Sequence, residues 1–283
     1  MKTNPRKIYG LIGYPVKHSL SPAMHNAAFQ SLGINAEYRL FELKLNELEG
    51  FFKSLSEKNI LGLNVTIPYK EKVIPFLDKV SDAARLIGSV NTVRQDKGKL
   101  EGYNTDGAGF LRHLTEDLGF NPQGKTISLL GAGGAARALG VYLCKTKPLA
   151  LFIYDIDKLK GRSVANHLKK HFPAIKIACV DSVRKLHIRK AQLLVNATPV
   201  GMKEEDPLPI DESSLHKGLL VYDLIYNPKE TSLLKIARKK CSAVSNGLGM
   251  LLYQGAQSFE VWTGRKAPVS VMQHALNEGV KKL

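Results

Sequence analysis

The residues most clearly suited to chemistry are small ones that follow an apolar segment near the middle of the chain. Segment 126–130 is strand-like, and the run 131–136 after it opens a helical segment. The first five members of that run are Gly131, Ala132, Gly133, Gly134 and Ala135. Strand, glycine-rich turn and helix together form a pyrophosphate cradle, because glycine permits the tight turn and the helix N-terminus offers N–H groups to the anion. The pattern predicts dinucleotide binding, although a glycine-rich string alone is often only a loop.

An acidic residue, Asp155, ends the next strand-like segment, where the adenosine ribose of a dinucleotide is expected. A carboxylate there accepts hydrogen bonds from the ribose hydroxyls and repels a 2′-phosphate, so it favours NAD over NADP. Asp157 adds to the repulsion. Three cations follow, at Lys158, Lys160 and Arg162. They either receive a phosphate or form the solvated first turn of a helix, and the sequence leaves both interpretations open.

Strand-like and helical segments alternate along the chain, which predicts an α/β protein, and the more regular alternation from residue 125 onwards predicts a parallel sheet with helices on both faces. In the first half, strands are expected at 7–12, 36–43, 61–67 and 91–94, and helices at 22–32, 45–56, 71–77 and 82–87. In the second half, strands are expected at 126–130, 149–154, 176–179, 193–197 and 219–224, and helices at 249–263 and 270–281. Ser21 can cap the first helix, and Pro22 suits its first position.

Length and composition agree with this architecture. A chain of 283 residues suggests about two domains, and 44% hydrophobic with 23% charged residues excludes a disordered, collagen-like or coiled-coil chain. The net charge of +16 favours anionic partners. Segment 158–190 has ten basic residues and one acidic residue, so the excess is either a solvated face or a field that steers an anionic dinucleotide. Nucleic acid is not expected, since the basic stretches lack interleaved aromatic residues and a known binding motif.

Other features of the sequence argue for a cytoplasmic protein without metal or membrane contact. The first residues lack the apolar region of a secretory signal, and apolar stretches are far shorter than the ~20 residues that span a bilayer. Cys144, Cys179 and Cys241 lie far apart, which argues against a disulfide framework or a thiolate zinc site. His167 and His171 have the spacing of helical metal ligands, but they lack a third ligand and are expected on a solvated face.

Several polar motifs resemble the signature of the shikimate dehydrogenases. In chain order they are Ser19-Leu20-Ser21-Pro22, the run 64–70 (Asn-Val-Thr-Ile-Pro-Tyr-Lys), the run 88–92 (Gly-Ser-Val-Asn-Thr), the run 102–107 (Gly-Tyr-Asn-Thr-Asp-Gly), the glycine-rich run from Gly131, the run 196–202 (Asn-Ala-Thr-Pro-Val-Gly-Met), the run 222–226 (Tyr-Asp-Leu-Ile-Tyr) and the run 247–250 (Gly-Leu-Gly-Met). They keep the order of that family over nearly the whole chain. The resemblance implies reversible hydride transfer between 3-dehydroshikimate and shikimate, a step of aromatic amino acid biosynthesis towards chorismate.

The implied substrate suits the residue types in these motifs. Shikimate is a small ring with one carboxylate and three hydroxyls, so its site needs many short polar groups. Ser19 and Ser21 can both donate to a carboxylate, and Asn64 and Thr66 share one face of a strand end. The resemblance assigns the carboxylate to Ser19, Ser21 and Tyr226, and the ring hydroxyls to Asn64, Thr66, Asn91, Asp106 and Gln254.

The resemblance places the chemistry on Lys70 and Asp106. Reduction of a ketone by hydride requires a proton at the developing alkoxide, which a positioned ammonium can supply, and in the opposite direction a neutral lysine takes the proton. Asp106 would orient the ammonium and bond the same hydroxyl. Taken alone, Lys70 would be interpreted as a surface lysine at the start of helix 69–77. Only its surrounding motif favours the catalytic interpretation.

The resemblance also implies the architecture, which is an N-terminal α/β substrate domain plus a Rossmann-type doubly wound nucleotide-binding domain. The substrate domain is expected at 1–106, completed by C-terminal helices at 249–283, and the nucleotide-binding domain at 107–248. Gly247 and Leu224 are expected beside the nicotinamide, and Thr198 in a loop that meets the cofactor. The assembly is expected to be a monomer or a homodimer.

One departure from the family pattern concerns the cofactor. Members that use NADP usually carry an Asn-Arg-Thr segment after the second strand of the nucleotide domain, whereas this chain reads Tyr-Asp-Ile-Asp at 154–157. Asp155 and Asp157 therefore favour NAD, and NADP stays open. The alternatives are an NAD-dependent quinate/shikimate dehydrogenase of catabolic direction and, in another class, a non-catalytic sensor of a cyclic acid or NAD. The sensor is disfavoured because both reacting residues are present.

Overall fold

The chain divides into two units, each built on its own six-stranded sheet within the described residues. The computed structural model describes residues 5–241 and 243–282. One unit comprises Met1–Gly109 with Leu251–Leu283, and the other comprises Phe110–Met250. Among the described residues, none of the helices has the length and apolar content required to cross a membrane.

The sheet of the first unit is mixed rather than parallel. Its strands are β1 (Lys7–Gly13), β2 (Ala36–Glu42), β3 (Ile60–Val65), β4 (Lys79–Val80), β5 (Thr92–Asp96) and β6 (Lys99–Tyr103), in the order β2-β1-β3-β5-β6-β4. β1 pairs in parallel with β2 and β3, but β5 runs antiparallel to both β3 and β6. The alternation of strands and helices did not indicate this mixed pairing. It arises from a two-residue hairpin between β5 and β6, in which Lys97 and Gly98 both have positive φ angles, as this turn type requires.

Four helices lie wholly in the first unit: α1 (Ser21–Ser31), α2 (Leu48–Lys53), α3 (Asp82–Ile87) and, near the chain end, Val269–Val280. The sequence had suggested that Ser21 caps α1, but the structure shows that it does not. The cap position is Leu20, and the Ser19 hydroxyl accepts the Ser21 backbone N–H at 3.2 Å. The helix expected at 71–77 is only a 3-10 turn over Ile74–Phe76, because Pro75 removes a donor and disfavours helical geometry before it.

The second unit has a fully parallel, doubly wound sheet. Its strands are β7 (Thr126–Leu130), β8 (Ala150–Tyr154), β9 (Lys176–Cys179), β10 (Leu193–Asn196), β11 (Leu220–Asp223) and β12 (Ala243–Ser245), in the order β12-β11-β10-β7-β8-β9. The strand order reverses between β7 and β10, and ligands of such sheets bind outside the carboxyl ends of the strands at that point. The predicted Rossmann-type architecture is confirmed, and β12 is a short strand that the sequence did not reveal.

The described residues form five further helices, which are α4 (Asp106–Arg112), α5 (Gly134–Lys145), α6 (Lys158–His171), α7 (Ser232–Lys240) and α8 (Leu248–Thr263), and the helix Val269–Val280 given above is α9. A π-helical turn over His113–Asp117 follows α4. The glycine-rich run thus lies between β7 and α5, and Asp155 lies between β8 and α6.

The core of the first unit places a glycine against its one tryptophan. Gly62 of β3 faces the Trp262 indole so closely that a Cβ at this position would overlap the ring, and the indole N–H donates to the Val93 carbonyl at 2.9 Å. This packing joins α8 to the middle of the sheet. The position therefore requires glycine for reasons of space.

Substituting Gly62→Ala should destabilise the protein by about 1–3 kcal/mol, because the added methyl overpacks the indole. Gly50→Ala is the matched control, since Gly50 lies in α2 with open space at its Cβ position. That change should instead raise the free energy of unfolding by about 0.5–1 kcal/mol through helix propensity. Urea unfolding of both variants measures the difference, and equal effects would show that the indole contact does not constrain position 62.

Candidate active site

The reacting pair expected from the sequence is an ion pair in the first unit. Lys70 Nζ lies 2.5 Å from Asp106 Oδ2, and the two side chains are only 16% and 6% exposed. The second carboxylate oxygen, Oδ1, accepts a bond from Asn91 Nδ2 at 2.8 Å. The pair is therefore shielded from water, and the carboxylate is oriented by donors on both of its oxygens.

Asn91 connects this pair to α8. Its side-chain oxygen accepts the backbone N–H of Thr105 at 2.7 Å, and its Nδ2 lies 3.4 Å from the side-chain oxygen of Gln254. Gln254 in turn donates to the Leu251 carbonyl at 2.9 Å, which fixes its amide orientation. The structure thus brings four sequence-predicted residues together, namely Lys70, Asp106, Asn91 and Gln254.

Asn64 belongs to the same buried polar network. Its oxygen accepts the Tyr38 hydroxyl at 2.8 Å, and its Nδ2 donates to the Ser258 hydroxyl at 2.9 Å and to the Asn91 carbonyl at 3.2 Å. Thr66 follows β3 directly and is half-buried. Both residues lie where β3 ends, as the strand pattern had indicated.

The sequence did not reveal four members of this network, which are Tyr38, Thr92, Thr105 and Ser258. For three of them, the position in the sequence could have indicated membership of the network. Thr92 and Thr105 lie in the same short motifs as Asn91 and Asp106, directly beside them in the chain. Ser258 follows Gln254 by four residues, which places both on one face of a helix. The sequence around Tyr38 gives no comparable indication, because a tyrosine is an ordinary residue in a strand.

The two serines expected at the carboxylate lie at the start of α1. Ser21 is buried and Ser19 is half-buried, and the hydrogen bond from the Ser21 backbone to the Ser19 hydroxyl holds the loop in place. Tyr226, the third residue assigned to the carboxylate, belongs to the second unit and follows β11.

The glycine-rich turn of the second unit has the geometry of a phosphate cradle. Gly131 has φ of +98°, its N–H donates to the Tyr154 carbonyl at 2.7 Å, and a Cβ there would lie 2.8 Å from the Ala197 carbonyl oxygen. At Gly133, by contrast, an added Cβ would meet no protein atom within 4 Å. Gly133 is the N-cap of α5 and has no side chain to bond its first N–H groups, which have no partner within the helix and are suited to an anion.

The acids after β8 have separate local roles. Asp155 accepts the Ala132 N–H at 2.7 Å and the Asp157 N–H at 2.8 Å, so its carboxylate lies against the glycine-rich turn. Asp157 caps α6, and the N–H groups of Lys160 and then Leu159 hold the pKa of this carboxyl below its usual value. Lys160 also pairs with Asp157 at 3.5 Å. Lys158, Lys160 and Arg162 are all exposed on α6.

The other residues expected at the cofactor meet at the ends of β10 and β11. Thr198 donates from both N and Oγ1 to the side-chain oxygen of Asn196, whose Nδ2 donates to Asp223 at 3.0 Å. Leu224 N–H donates to the Asn196 carbonyl at 2.9 Å, and Gly247 packs so closely on the Leu224 carbonyl that only glycine fits. Thr198, Leu224 and Gly247 are thus brought together, and Asn196 and Asp223 are supporting residues that the sequence reasoning did not assign.

Burial controls the charge of two groups in these networks. Burial raises the pKa of Asp223, and hydrogen bonds from Thr231, Ile225 and Asn196 oppose that rise. In the first unit, complete burial lowers the pKa of the His25 imidazole from 6.5 to about 3. Neither ring nitrogen of His25 has a hydrogen-bond partner among the described residues, and the ring stacks on Tyr38 with centroids 4.4 Å apart. A neutral imidazole therefore packs against Tyr38, whose hydroxyl donates to Asn64.

Comparison with known proteins finds two matching family models. Residues 11–93 match the shikimate dehydrogenase substrate binding domain, and residues 247–276 match the shikimate 5'-dehydrogenase C-terminal domain. A shikimate dehydrogenase (NADP(+)) of Methanopyrus kandleri is 45% identical over 97% of this chain and 96% of its own length.

Two solved structures cover almost the whole chain. Shikimate 5-dehydrogenase from Listeria monocytogenes, in complex with shikimate and NAD, has a TM-score of 0.87 and 35% identity over 98% of this chain and 100% of its own. Quinate dehydrogenase from Corynebacterium glutamicum, in complex with NAD, has a TM-score of 0.88 and 33% identity over 97% of this chain and 100% of its own.

Fold, site and relatives together define an oxidoreductase that depends on a nicotinamide dinucleotide and acts on a secondary alcohol of a ring. More narrowly, the chain belongs to the shikimate dehydrogenase family and functions as a shikimate dehydrogenase. The family and function expected from the sequence motifs are confirmed.

The lowered pKa of His25 predicts a pH dependence of stability. Between pH 6.5 and about 3 the unfolded chain binds a proton at His25 and the folded chain does not, so stability falls as pH falls through this window. From pH 7.5 to 5.5 the contribution of His25 should fall by about 1.4 kcal/mol.

Urea unfolding at both pH values measures this loss. In His25→Phe, which keeps an aromatic ring against Tyr38, the loss should shrink by that amount, and His25→Gln provides a second neutral variant. His274→Asn, a change of an exposed histidine on α9, should leave the wild-type loss intact. An undiminished loss in both His25 variants would show that this residue does not titrate on unfolding.

Proposed function

We propose that Lys70 and Asp106 are the catalytic residues of reversible hydride transfer between 3-dehydroshikimate and shikimate. The observation that carries this assignment is the 2.5 Å ion pair, shielded from water and surrounded by neutral amides and hydroxyls. A paired ammonium in such a place is a fixed proton donor. Fixed donors in a dry site stabilise developing negative charge more strongly than water does.

The surrounding residues are proposed to bind the ring. Ser19 and Ser21, with Tyr226, bind the carboxylate. The ring hydroxyls are bound by short polar side chains at the ends of β3 and β5 and on α8, namely Asn64, Thr66, Asn91 and Gln254. Support comes from their chemistry, because a carboxylate with several hydroxyls requires many short donors and acceptors. The hydrogen bonds among Asn91, Asp106 and Gln254 support a single preorganised set.

The second unit is proposed to hold the nicotinamide dinucleotide. Gly131, Ala132, Gly133, Gly134 and Ala135 cradle the pyrophosphate, which is supported by the open space at Gly133 and by the N-terminus of α5. Thr198, Leu224 and Gly247 line the nicotinamide end. When bound, the nicotinamide ring supplies hydride to the substrate carbonyl carbon or accepts it from the alcohol carbon.

Lys70 completes the reaction at the oxygen. In the reductive direction its ammonium gives a proton to the oxygen that gains negative charge, and the resulting amine regains a proton from solvent. In the oxidative direction the neutral amine takes the hydroxyl proton as hydride leaves the same carbon. Asp106 keeps Nζ in place and accepts a bond from the reacting hydroxyl.

Lys70→Ala should lower kcat by about 10²–10⁴-fold, the usual contribution of a positioned acid or base. Equilibrium binding of shikimate should change little, since the ring hydroxyls and carboxylate keep their other partners. Lys72→Ala is the matched control, because Lys72 is exposed two positions further on. Near-normal turnover of Lys70→Ala would remove this lysine from the chemistry.

We propose further that the chain prefers NAD. The support is Asp155, whose carboxylate lies against the glycine-rich turn where the adenosine ribose is expected and would repel a 2′-phosphate. The exposed cations of α6 oppose this preference, and the M. kandleri relative is named for NADP(+). The physiological direction follows the cofactor, since NADPH suits biosynthetic reduction and NAD suits oxidation.

Initial rates with shikimate and quinate, each with NAD and NADP, test cofactor and substrate together. We expect a higher kcat/KM with NAD, and Asp155→Asn should lower the NAD-to-NADP ratio by about tenfold or more, because the repelling charge is lost. Asp157→Asn keeps a helix-capping side chain and should change the ratio less. A native preference for NADP would contradict the proposal. Faster turnover of quinate with NAD would favour a quinate/shikimate dehydrogenase, which the C. glutamicum relative makes a specific alternative.

The cytoplasm is the proposed location, supported by three cysteines that are all free thiols. A monomer or a homodimer is the proposed assembly, and sedimentation equilibrium distinguishes the two.

A further inference from the structure

Three buried hydroxyls form a triangle behind the proposed substrate residues of the first unit. The hydroxyl triangle consists of Thr92, Thr105 and Ser258, with Oγ–Oγ distances of 2.8 Å from Thr92 to Ser258, 3.3 Å from Thr92 to Thr105 and 3.2 Å from Thr105 to Ser258. All three residues are at most 1% exposed. Hydroxyls buried this deeply must bond one another or their neighbours, because water does not reach them.

Each corner of the triangle lies beside a proposed substrate or catalytic residue in the chain. Thr92 follows Asn91, Thr105 precedes Asp106, and Ser258 lies one helical turn after Gln254 on α8. The hydroxyl triangle therefore joins β5, the start of α4 and the middle of α8. Any change in its bonding acts on the positions of these neighbours.

The acceptors around Asn64 determine how its amide is oriented. Ser258 donates to the Gln254 carbonyl at 2.9 Å, and its oxygen can accept from Asn64 Nδ2 at 2.9 Å and from the Thr92 hydroxyl at 2.8 Å. The Thr92 hydroxyl also lies 3.0 Å from the side-chain oxygen of Asn91, and its oxygen accepts from Asn64 Nδ2 at 3.2 Å. The Asn64 amide nitrogen thus faces two corners of the triangle together with the Asn91 carbonyl, and its oxygen is left to accept.

We propose that Thr92 and Ser258 are positioning residues that fix the Asn64 amide for substrate binding. This inference rests on the proposed contact of Asn64 with a ring hydroxyl. Tyr38 donates to one side of the Asn64 oxygen at 2.8 Å, and a carbonyl oxygen has a second lone pair that can accept from a substrate hydroxyl. Without the two hydroxyls, the Asn91 carbonyl alone accepts from the Asn64 amide, which is then held less firmly and presents that acceptor less precisely.

An isosteric pair of variants tests the proposal. Thr92→Val keeps the shape and removes the hydroxyl, whereas Thr92→Ser keeps the hydroxyl. We expect Thr92→Val to raise KM for shikimate about tenfold, with kcat changed less than about twofold and KM for the dinucleotide unchanged. Thr92→Ser should restore KM to within about twofold of wild type. Ser258→Ala, a second variant without added volume, should repeat the effect of Thr92→Val.

A control separates positioning from general loss of stability. Ser128→Ala removes an equally buried hydroxyl, which bonds the Leu186 carbonyl at 2.7 Å in the second unit. It should lower Tm without changing KM for shikimate. Equal KM values for Thr92→Val, Ser258→Ala and wild type would overturn the proposal, and so would equal increases in Thr92→Val and Thr92→Ser.

A double-mutant cycle with Asn64→Ala identifies which claim fails. If Thr92 acts through Asn64, the double variant with Thr92→Val should have the KM of Asn64→Ala alone. Fully additive effects would overturn the positioning role of Thr92. If Asn64→Ala itself leaves KM for shikimate unchanged, the proposed substrate contact fails instead, and the positioning claim fails with it.

Discussion

The ion pair of Lys70 and Asp106 is the interaction on which the rest of the first unit depends. Removing two charges from water is costly, and their attraction repays the cost only when the remaining donors and acceptors are also bonded. Asp106 meets this requirement through Asn91 on one oxygen and Lys70 on the other. Because this ion pair is both charged and shielded, the elements around it must supply neutral polar groups in fixed places.

Those neutral groups explain why so many amides and hydroxyls are buried at the ends of β3 and β5. A single unsatisfied polar group in such a place costs about 1–3 kcal/mol, so the network has to close on itself. It closes through α8, where Gln254 and Ser258 face the sheet from one side of the helix. Gly62 allows the indole of Trp262, four residues beyond Ser258, to pack directly on β3. The packing of Trp262 on Gly62 and the hydrogen bonds of Gln254 and Ser258 therefore both hold α8 against the sheet.

The sequence predicted the second unit better than the first for a physical reason. A glycine-rich turn between an apolar strand and a helix has one common structural use, and the regular alternation after it allows few topologies. In the first unit, a two-residue turn at Lys97 and Gly98 reverses one strand and makes the sheet mixed, which alternation alone does not indicate. The proposed substrate and catalytic residues were expected from motifs, but the bonds of Thr92 and Ser258 depend on contacts far apart in the chain, which a single sequence does not contain.

The charge of the second unit acts on two length scales. Segment 158–190 carries ten basic residues and one acidic residue, and a field of that kind raises the rate at which an anionic dinucleotide arrives. Screening limits it to about 8–10 Å at physiological salt, so it discriminates weakly between two dinucleotides that differ by one phosphate. Asp155 lies at contact distance from the glycine-rich turn, where the pyrophosphate is proposed to bind, and part of the opposing charge on Lys160 is already paired with Asp157. In the proposed preference for NAD, attraction and selectivity are therefore separable, because the basic segment would attract either cofactor and the Asp155 carboxylate would discriminate between them.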